Sequence, residues 1–225
     1  MAALPAPERK MIEAVVFDLD GVLLQSEEVW DAVRERYVRE RGGRYDEKVQ
    51  RAMMGMSAPE WSRFLHDDAG VPDDPDEINI QVIRRMLEAY KHELPLLPGA
   101  VDAVRRAASA YPLALASSSN RAIFEEVLEL AGIADCFEVT VSSEEVARGK
   151  PAPDVYLEAA HRLGTAPANC TAVEDSNAGI GSAKSAGMRV VAIPNAAYPP
   201  DEATLELADA VVRSLDDLTI EVLHG

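Results

Sequence analysis

Hydrophobic positions along the chain fall into two regimes. Six short apolar runs stand at 11–17, 112–116, 138–141, 170–173, 189–193 and 209–212. They are dense in Val, Ile, Leu and Ala and show little polar alternation. Runs of that length suit strands covered on both faces, as in a parallel sheet. Between the later runs the period turns helical. In 120–131, Ile123, Val127 and Leu130 share one stripe. The segments 153–163 and 176–187 also read as helices, the second rich in small residues and ending at Gly187. Strand and helix in alternation predict an α/β fold around a parallel sheet.

The stretch 25–95 breaks the alternation. It holds no strand-like run and four helical ones, at 27–41, 46–54, 57–69 and 77–92. The segment 71–77, VPDDPDE, reads as a turn followed by an acidic first helical turn. Pro95 and Pro98 close the stretch. The expected organisation is a flexible tail at 1–10, an α/β core from 11–24 and 96–225, and a helical insert at 25–95. The insert is about a third of the length yet carries half of the 22 Lys and Arg residues.

Composition narrows the function classes. A length of 225 residues suits one large domain, or a core with an insert. With 48% apolar and 27% charged residues, a disordered chain is excluded. A net charge of −17 repels phosphate backbones and anionic lipid, so neither nucleic acid nor membrane is an expected partner. Cys136 and Cys170 cannot build a disulfide framework, and no Cys/His cluster has zinc spacing. The opening MAALPAPERKMIE has no apolar core of the signal-peptide kind, and no run approaches a membrane span. A cytoplasmic protein is expected, compatible with a monomer or a homodimer.

Candidate chemistry gathers where runs end. Asp18 and Asp20 follow the first run, and i, i+2 spacing in extended chain points them the same way. Gly21 then permits a sharp turn. In open α/β sheets the ligand site lies beyond the carboxyl ends of the strands. Two carboxylates there need compensation, and a divalent cation is the usual source. Ser117-Ser118-Ser119-Asn120 ends the second run and opens a helix. Hydroxyls and peptide N–H groups at such a point suit an anion; simple N-capping by Ser or Asn is the plainer use. Glu174-Asp175-Ser176 adds two more carboxylates at another strand-to-helix turn. Lys150, in the loop RGKPAPD, is one of five lysines and precedes a helix opening, where a cation opposes the dipole. It can offset clustered negative charge or hold a phosphoryl oxygen. Gly179-Ile180-Gly181 reads as close helix packing rather than a nucleotide loop. Gly149-Lys150 is not a phosphate-loop lysine, and the G-x-S-x-G elbow of serine hydrolases is absent.

Taken together, Asp18-x-Asp20-Gly-Val, Ser117, Lys150 and Glu174-Asp175 resemble the four ordered motifs of the haloacid dehalogenase superfamily. The resemblance spans about residues 11–215. GKPAPDVYLEAAHRLG and VEDSNAGIGSAKSAGM are similar to the branch of β-phosphoglucomutases and small sugar-phosphate phosphatases. It implies a Rossmann-like core with a four-helix cap inserted between the first and second motifs. It implies Asp18 as nucleophile forming an aspartyl-phosphate, Asp20 as general acid and base, and Ser117 and Lys150 holding phosphoryl oxygens, with Ser118 and Asn120 beside them. It implies Mg²⁺ on the Asp18 carboxylate, the Asp20 carbonyl and Asp175, with Glu174 as ligand or just behind. The expected substrate is a small sugar or polyol phosphate, its leaving group chosen by Trp30, Met54, Gly55, Met56, Ser57 and Trp61. Three positions depart from the pattern. Gln25 replaces an aspartate at the core–cap junction. Trp30 and Ala58 stand where the mutases carry histidine and arginine, which favours hydrolysis over a phosphomutase. A non-catalytic binding protein on the same scaffold is the remaining alternative.

Overall fold

The computed structural model describes residues 11–53, 56–195 and 198–225. The expected tail at 1–10, and Met54 and Gly55 of the expected leaving-group residues, lie outside the described residues.

Strands β1 (Ala14–Phe17), β2 (Leu113–Ser117), β3 (Val139–Ser142), β4 (Cys170–Glu174), β5 (Arg189–Ala192) and β6 (Ala210–Val211) form one sheet. Their order is β3-β2-β1-β4-β5-β6, and every pair is parallel. Each strand lies on one of the six apolar runs. β1, β2 and β4 are buried along their whole length, which is why those runs lack polar alternation. β6 is only two residues long and sits at one edge. β1 lies between β2 and β4.

Four helices fill the insert at 25–95: α1 (Glu27–Glu40), α2 (Glu47–Met53), α3 (Ala58–Asp67) and α4 (Pro75–His92). α4 buries Ile78, Val82, Met86 and Tyr90, a strict i, i+4 stripe, against α1 and α3. Each such side chain taken from water contributes about 1.5–3 kcal/mol. Pro75 begins α4, and the Asp74 carboxylate accepts the Asp76 N–H at 2.9 Å. The chain enters and leaves this insert side by side. Gln25 N–H donates to the Pro95 carbonyl at 2.8 Å, and Leu97 N–H to that of Leu23 at 2.9 Å. The Gln25 departure thus falls at a junction that backbone bonds secure.

The remaining helices are α5 (Ala100–Ala108), α6 (Arg121–Leu130), α7 (Asp154–Leu163), α8 (Asn177–Ser185), α9 (Glu202–Leu205) and α10 (Ile220–His224). Alternation along β1 sets the layers. Val15 and Phe17 face a cluster formed by α5, α6 and α10, which continues into the four-helix insert. Ala14 and Val16 face the other side, covered by α7 and α8. The architecture is therefore helix–sheet–helix, a Rossmann-like α/β fold. Both cysteines are free, and among the described residues no helix is long and apolar enough to cross a membrane.

Candidate active site

Because β2, β1 and β4 are neighbours, their carboxyl ends bring together residues more than 150 positions apart. Asp18 follows β1, and its N–H donates to the Val173 carbonyl of β4 at 3.0 Å. Ser117 ends β2, and Glu174 ends β4. Lys150 arrives from the loop between β3 and α7, where the Lys150–Pro151 peptide is cis. Its ammonium donates to Asp18 Oδ1 at 2.6 Å, Glu174 Oε1 at 2.6 Å and the Ala116 carbonyl at 3.0 Å. The lysine side chain is only 5% exposed.

Glu174 is fully engaged. Its Oε1 also accepts the Tyr156 hydroxyl at 2.6 Å, and its Oε2 accepts the Asp175 and Ser176 N–H groups and the Ser176 hydroxyl. Gly179, in the first turn of α8, leaves room for it, since a Cβ there would collide with the Glu174 carboxylate. The close helix packing expected of Gly179-Ile180-Gly181 is not seen: Gly179 is crowded by a carboxylate, and a Cβ on Gly181 would meet nothing within 4 Å among the described residues. Gly21 adopts φ +83°, and a Cβ on it would collide with the Asp175 carboxylate.

Asp20 points elsewhere. Its Oδ1 accepts the Ser26 hydroxyl at 2.5 Å, and its Oδ2 accepts the Ser119 hydroxyl at 2.7 Å. Ser117 Oγ reaches the same oxygen at a long 3.5 Å and accepts the Ser119 N–H at 2.9 Å. Ser118 and Asn120 line the cleft, with the Asn120 amide donating to Glu144 at 2.5 Å.

The electrostatics follow from four carboxylates facing one ammonium. Burial pushes the Asp18 carboxyl up to about 8; Lys150 pulls it down, while Glu174 and Asp20 add to the rise. Burial likewise raises Asp175 to about 9, helped by Glu174 and Asp18. Burial disfavours the Lys150 ammonium, but Asp18 and Glu174 outweigh it and hold its pKa above the ordinary value. Asp18, Glu174 and Asp175 each offer a carboxylate oxygen within 4.8 Å of the others. The Asp175 carboxylate has no hydrogen-bond or ion-pair partner among the described residues. A buried all-oxygen set with uncompensated negative charge fits a hard divalent cation. The Asp20 carboxylate stands outside that set.

Asp18, Asp20, Lys150 and Asp175, with Ser118, Ser119 and Asn120, floor a cleft of about 530 Å³, a volume suited to a small metabolite, while Ser117 and Glu174 lie fully buried behind it. The insert supplies the opposite wall. Trp30, Met56 and Trp61 line it as expected from the sequence. Ser57 does not: its N–H and hydroxyl both donate to Glu60, at 2.7 and 2.6 Å, closing the start of α3. Sequence reasoning missed Ser26, Ser119 and Tyr156, and also Glu27, Asp31, Arg34 and Tyr45 on the insert side. A signal for three of these existed. Glu27, Trp30, Asp31 and Arg34 recur at helical spacing on one face of α1.

A profile of haloacid dehalogenase-like hydrolases matches residues 12–187. The chain is 34% identical over 215 residues to the bifunctional riboflavin kinase/FMN phosphatase of Arabidopsis thaliana. That match covers 95% of this chain and 56% of that protein, so the chain spans about half the length of this relative. It is 31% identical over 220 residues to hexitol phosphatase B of Escherichia coli K12, covering 96% of this chain and 98% of that one. Among solved structures, a CbbY mutant from Rhodobacter sphaeroides in complex with xylulose-1,5-bisphosphate superposes with a TM-score of 0.86 at 27% identity. It covers 96% of this chain and 100% of that one.

Proposed function

The chain belongs to the haloacid dehalogenase-like hydrolases, and from that premise we propose that it hydrolyses a small phosphorylated metabolite, a sugar or polyol phosphate, through a covalent aspartyl-phosphate. The observation that carries this reading is Asp18 at the end of the central strand. It is buried, tied through Oδ1 to Lys150, and faces the same cleft as Asp20.

In this reading Asp18 attacks phosphorus, forming an Asp18 Oδ–P bond as the bond from phosphorus to the leaving oxygen breaks. Asp20 gives that oxygen its proton. Asp20 then takes a proton from a water that attacks the same phosphorus, which frees phosphate and restores Asp18. Ser26 and Ser119 fix the carboxyl of Asp20 for both steps. Lys150 offsets charge between two anions, the carboxylate nucleophile and the phosphoryl group. Ser117, Ser118 and Asn120, at the opening of α6, suit phosphoryl oxygens.

Asp18 and Asp175, with the Asp20 carbonyl, would hold Mg²⁺, while Glu174 keeps Lys150 and the β4 turn in place. Bound Mg²⁺ supplies the positive charge that the buried carboxylates lack. Residues 25–95 act as a cap that shields the site from water, on a core made of 11–24 and 96–225. Hexitol phosphatase B and the FMN phosphatase, as relatives, support phosphate removal from a small molecule.

The test is inorganic phosphate release from hexose, pentose, deoxysugar and polyol phosphates, phosphoglycolate and nucleotides, with Mg²⁺ and with chelator. The expected result is Mg²⁺-dependent release that favours one chemical class. Release unaffected by chelator, or none from any member, overturns the reading.

A further inference from the structure

Arg34 is the odd charge in the cleft. It sits on α1, half-buried, and lines the same cavity as Asp18 and Lys150. Its guanidinium lies 4.5 Å from the centre of the Trp30 ring and 4.8 Å from that of Trp61. The two indoles meet edge to face, with centroids 6.2 Å apart. Stacking on aromatic rings satisfies the faces of a guanidinium and leaves its N–H edges to seek acceptors.

Those edges find none in the protein. Arg34 Nε is buried without a hydrogen-bond partner, and Arg34 makes no ion pair with any described residue. Its acidic neighbours are committed elsewhere or out of reach. Asp31 Oδ1 accepts the Tyr45 hydroxyl at 2.6 Å, and Asp20 is held by Ser26 and Ser119. Glu27 acts on Arg34 only through space. The buried Tyr90 hydroxyl, which feels the charges of Asp20, Glu27 and Arg34, is likewise without a partner among the described residues. A guanidinium held against two indoles with its Nε buried and unpartnered is costly to leave without an acceptor, and a ligand anion removes that cost.

We infer that Arg34 is where the helical insert grips a second anionic group, a phosphate or carboxylate carried by the leaving half of the substrate. The hydrolase reading enters only in placing the first phosphoryl group at Asp18. The favoured substrate is then a phosphomonoester with another anion beyond the scissile bond. The guanidinium held against Trp30 favours a leaving half that carries charge.

The chain has two tryptophans, and both flank Arg34, so intrinsic fluorescence reports directly on this spot. The Mg²⁺-loaded Asp18→Asn variant, which does not turn over, is titrated with a sugar bisphosphate, with phosphoglycolate and with a hexitol monophosphate. At least one second-anion ligand is expected to bind about tenfold tighter than the hexitol monophosphate. Whether the bisphosphate or phosphoglycolate gains more identifies the anion. Adding Arg34→Gln removes the margin, and Arg34→Lys keeps part of it, because ammonium retains the charge without the fork. In the otherwise native enzyme, Arg34→Gln lowers kcat/KM for the second-anion substrate about tenfold more than for the hexitol monophosphate, mainly through KM.

Equal affinity for all three ligands overturns the proposal. So does an Arg34→Gln variant that weakens all three alike, the mark of a hydroxyl contact or a packing role. If Arg34→Gln loses its helical circular dichroism, the margin in the Asp18→Asn protein and its change in Arg34→Lys decide. If no substrate is hydrolysed but the fluorescence margin persists, the hydrolase reading fails and the anion site stands.

Discussion

Two walls face each other across the cleft, each carrying one cation, Lys150 buried and Arg34 half-buried, and they treat it in opposite ways. At the strand ends Lys150 meets two carboxylates and a carbonyl within 3.0 Å. On the helical wall Arg34 rests on two indoles and meets no acceptor. The first arrangement is complete without a ligand and keeps reacting groups preorganised. The second is incomplete without one. Chemistry that is the same for every substrate belongs on a finished scaffold. Recognition that depends on the substrate leaves a bond to be made.

The largest expected effect lies on the strand-end wall. Asp18→Asn should lower turnover by more than about 10³-fold on every substrate of the panel, since it removes the attacking oxygen. The fold should persist, because Lys150 keeps Glu174 and the Ala116 carbonyl. Phosphate release together with circular dichroism checks both. More than a few per cent residual activity would assign the nucleophile to another group.

A smaller effect concerns charge on the same wall. Burial holds the Asp18 and Asp175 carboxyls above their ordinary value, to about 8 and about 9. The unfolded chain releases those protons near pH 4, so between there and pH 8–9 the native state binds more protons than the unfolded one. Stability of the metal-free protein must then fall as pH rises through that window. A cation competes with the protons, so its stabilising effect grows with pH. Melting curves with and without Mg²⁺ at pH 6 and pH 8.5 should show the larger rise, several degrees or so, at pH 8.5. An equal rise at both would break the link between the carboxylate set and the cation.

The smallest effect lies on the helical wall. Ser57→Ala removes the hydroxyl that binds Glu60 and should cost about 1 kcal/mol. That corresponds to a melting point lower by about 2–4 °C. Substrate ranking should not change, in contrast to Arg34→Gln. A changed ranking would return Ser57 to the leaving-group contacts.

Much of the core was legible because its signals are local. A buried parallel strand is a short apolar run, and all six runs carry strands. Asp18, Ser117 and Glu174 were visible as polar residues at or just beyond the ends of such elements, and Lys150 as a lysine held before Pro151 in the loop that leads to α7. α5 was not singled out, since its buried stripe of Ala100, Ala103, Val104 and Ala107 is mostly alanine and gives little hydrophobic contrast. The partners of Asp20 were hidden for another reason. Ser117, Ser118 and Ser119 are the same residue type in a row, and only the backbone path shows that Ser119 donates at 2.7 Å while Ser117 stands at 3.5 Å.

By itself the sequence determined the six strands and most of the helices, and it displayed the carboxylates, hydroxyls and lysine gathered near the strand-to-helix turns. Periodicity and turn chemistry act over a few residues, and a linear chain displays them directly. Tertiary structure decided which of those residues share hydrogen bonds and which stay unpaired. The order β2-β1-β4 placed Lys150 between Asp18 and Glu174, and the fold of the insert laid Arg34 on Trp30 and Trp61. Pairing of that kind depends on distances between elements far apart in the chain, and those distances exist only once the layers have packed.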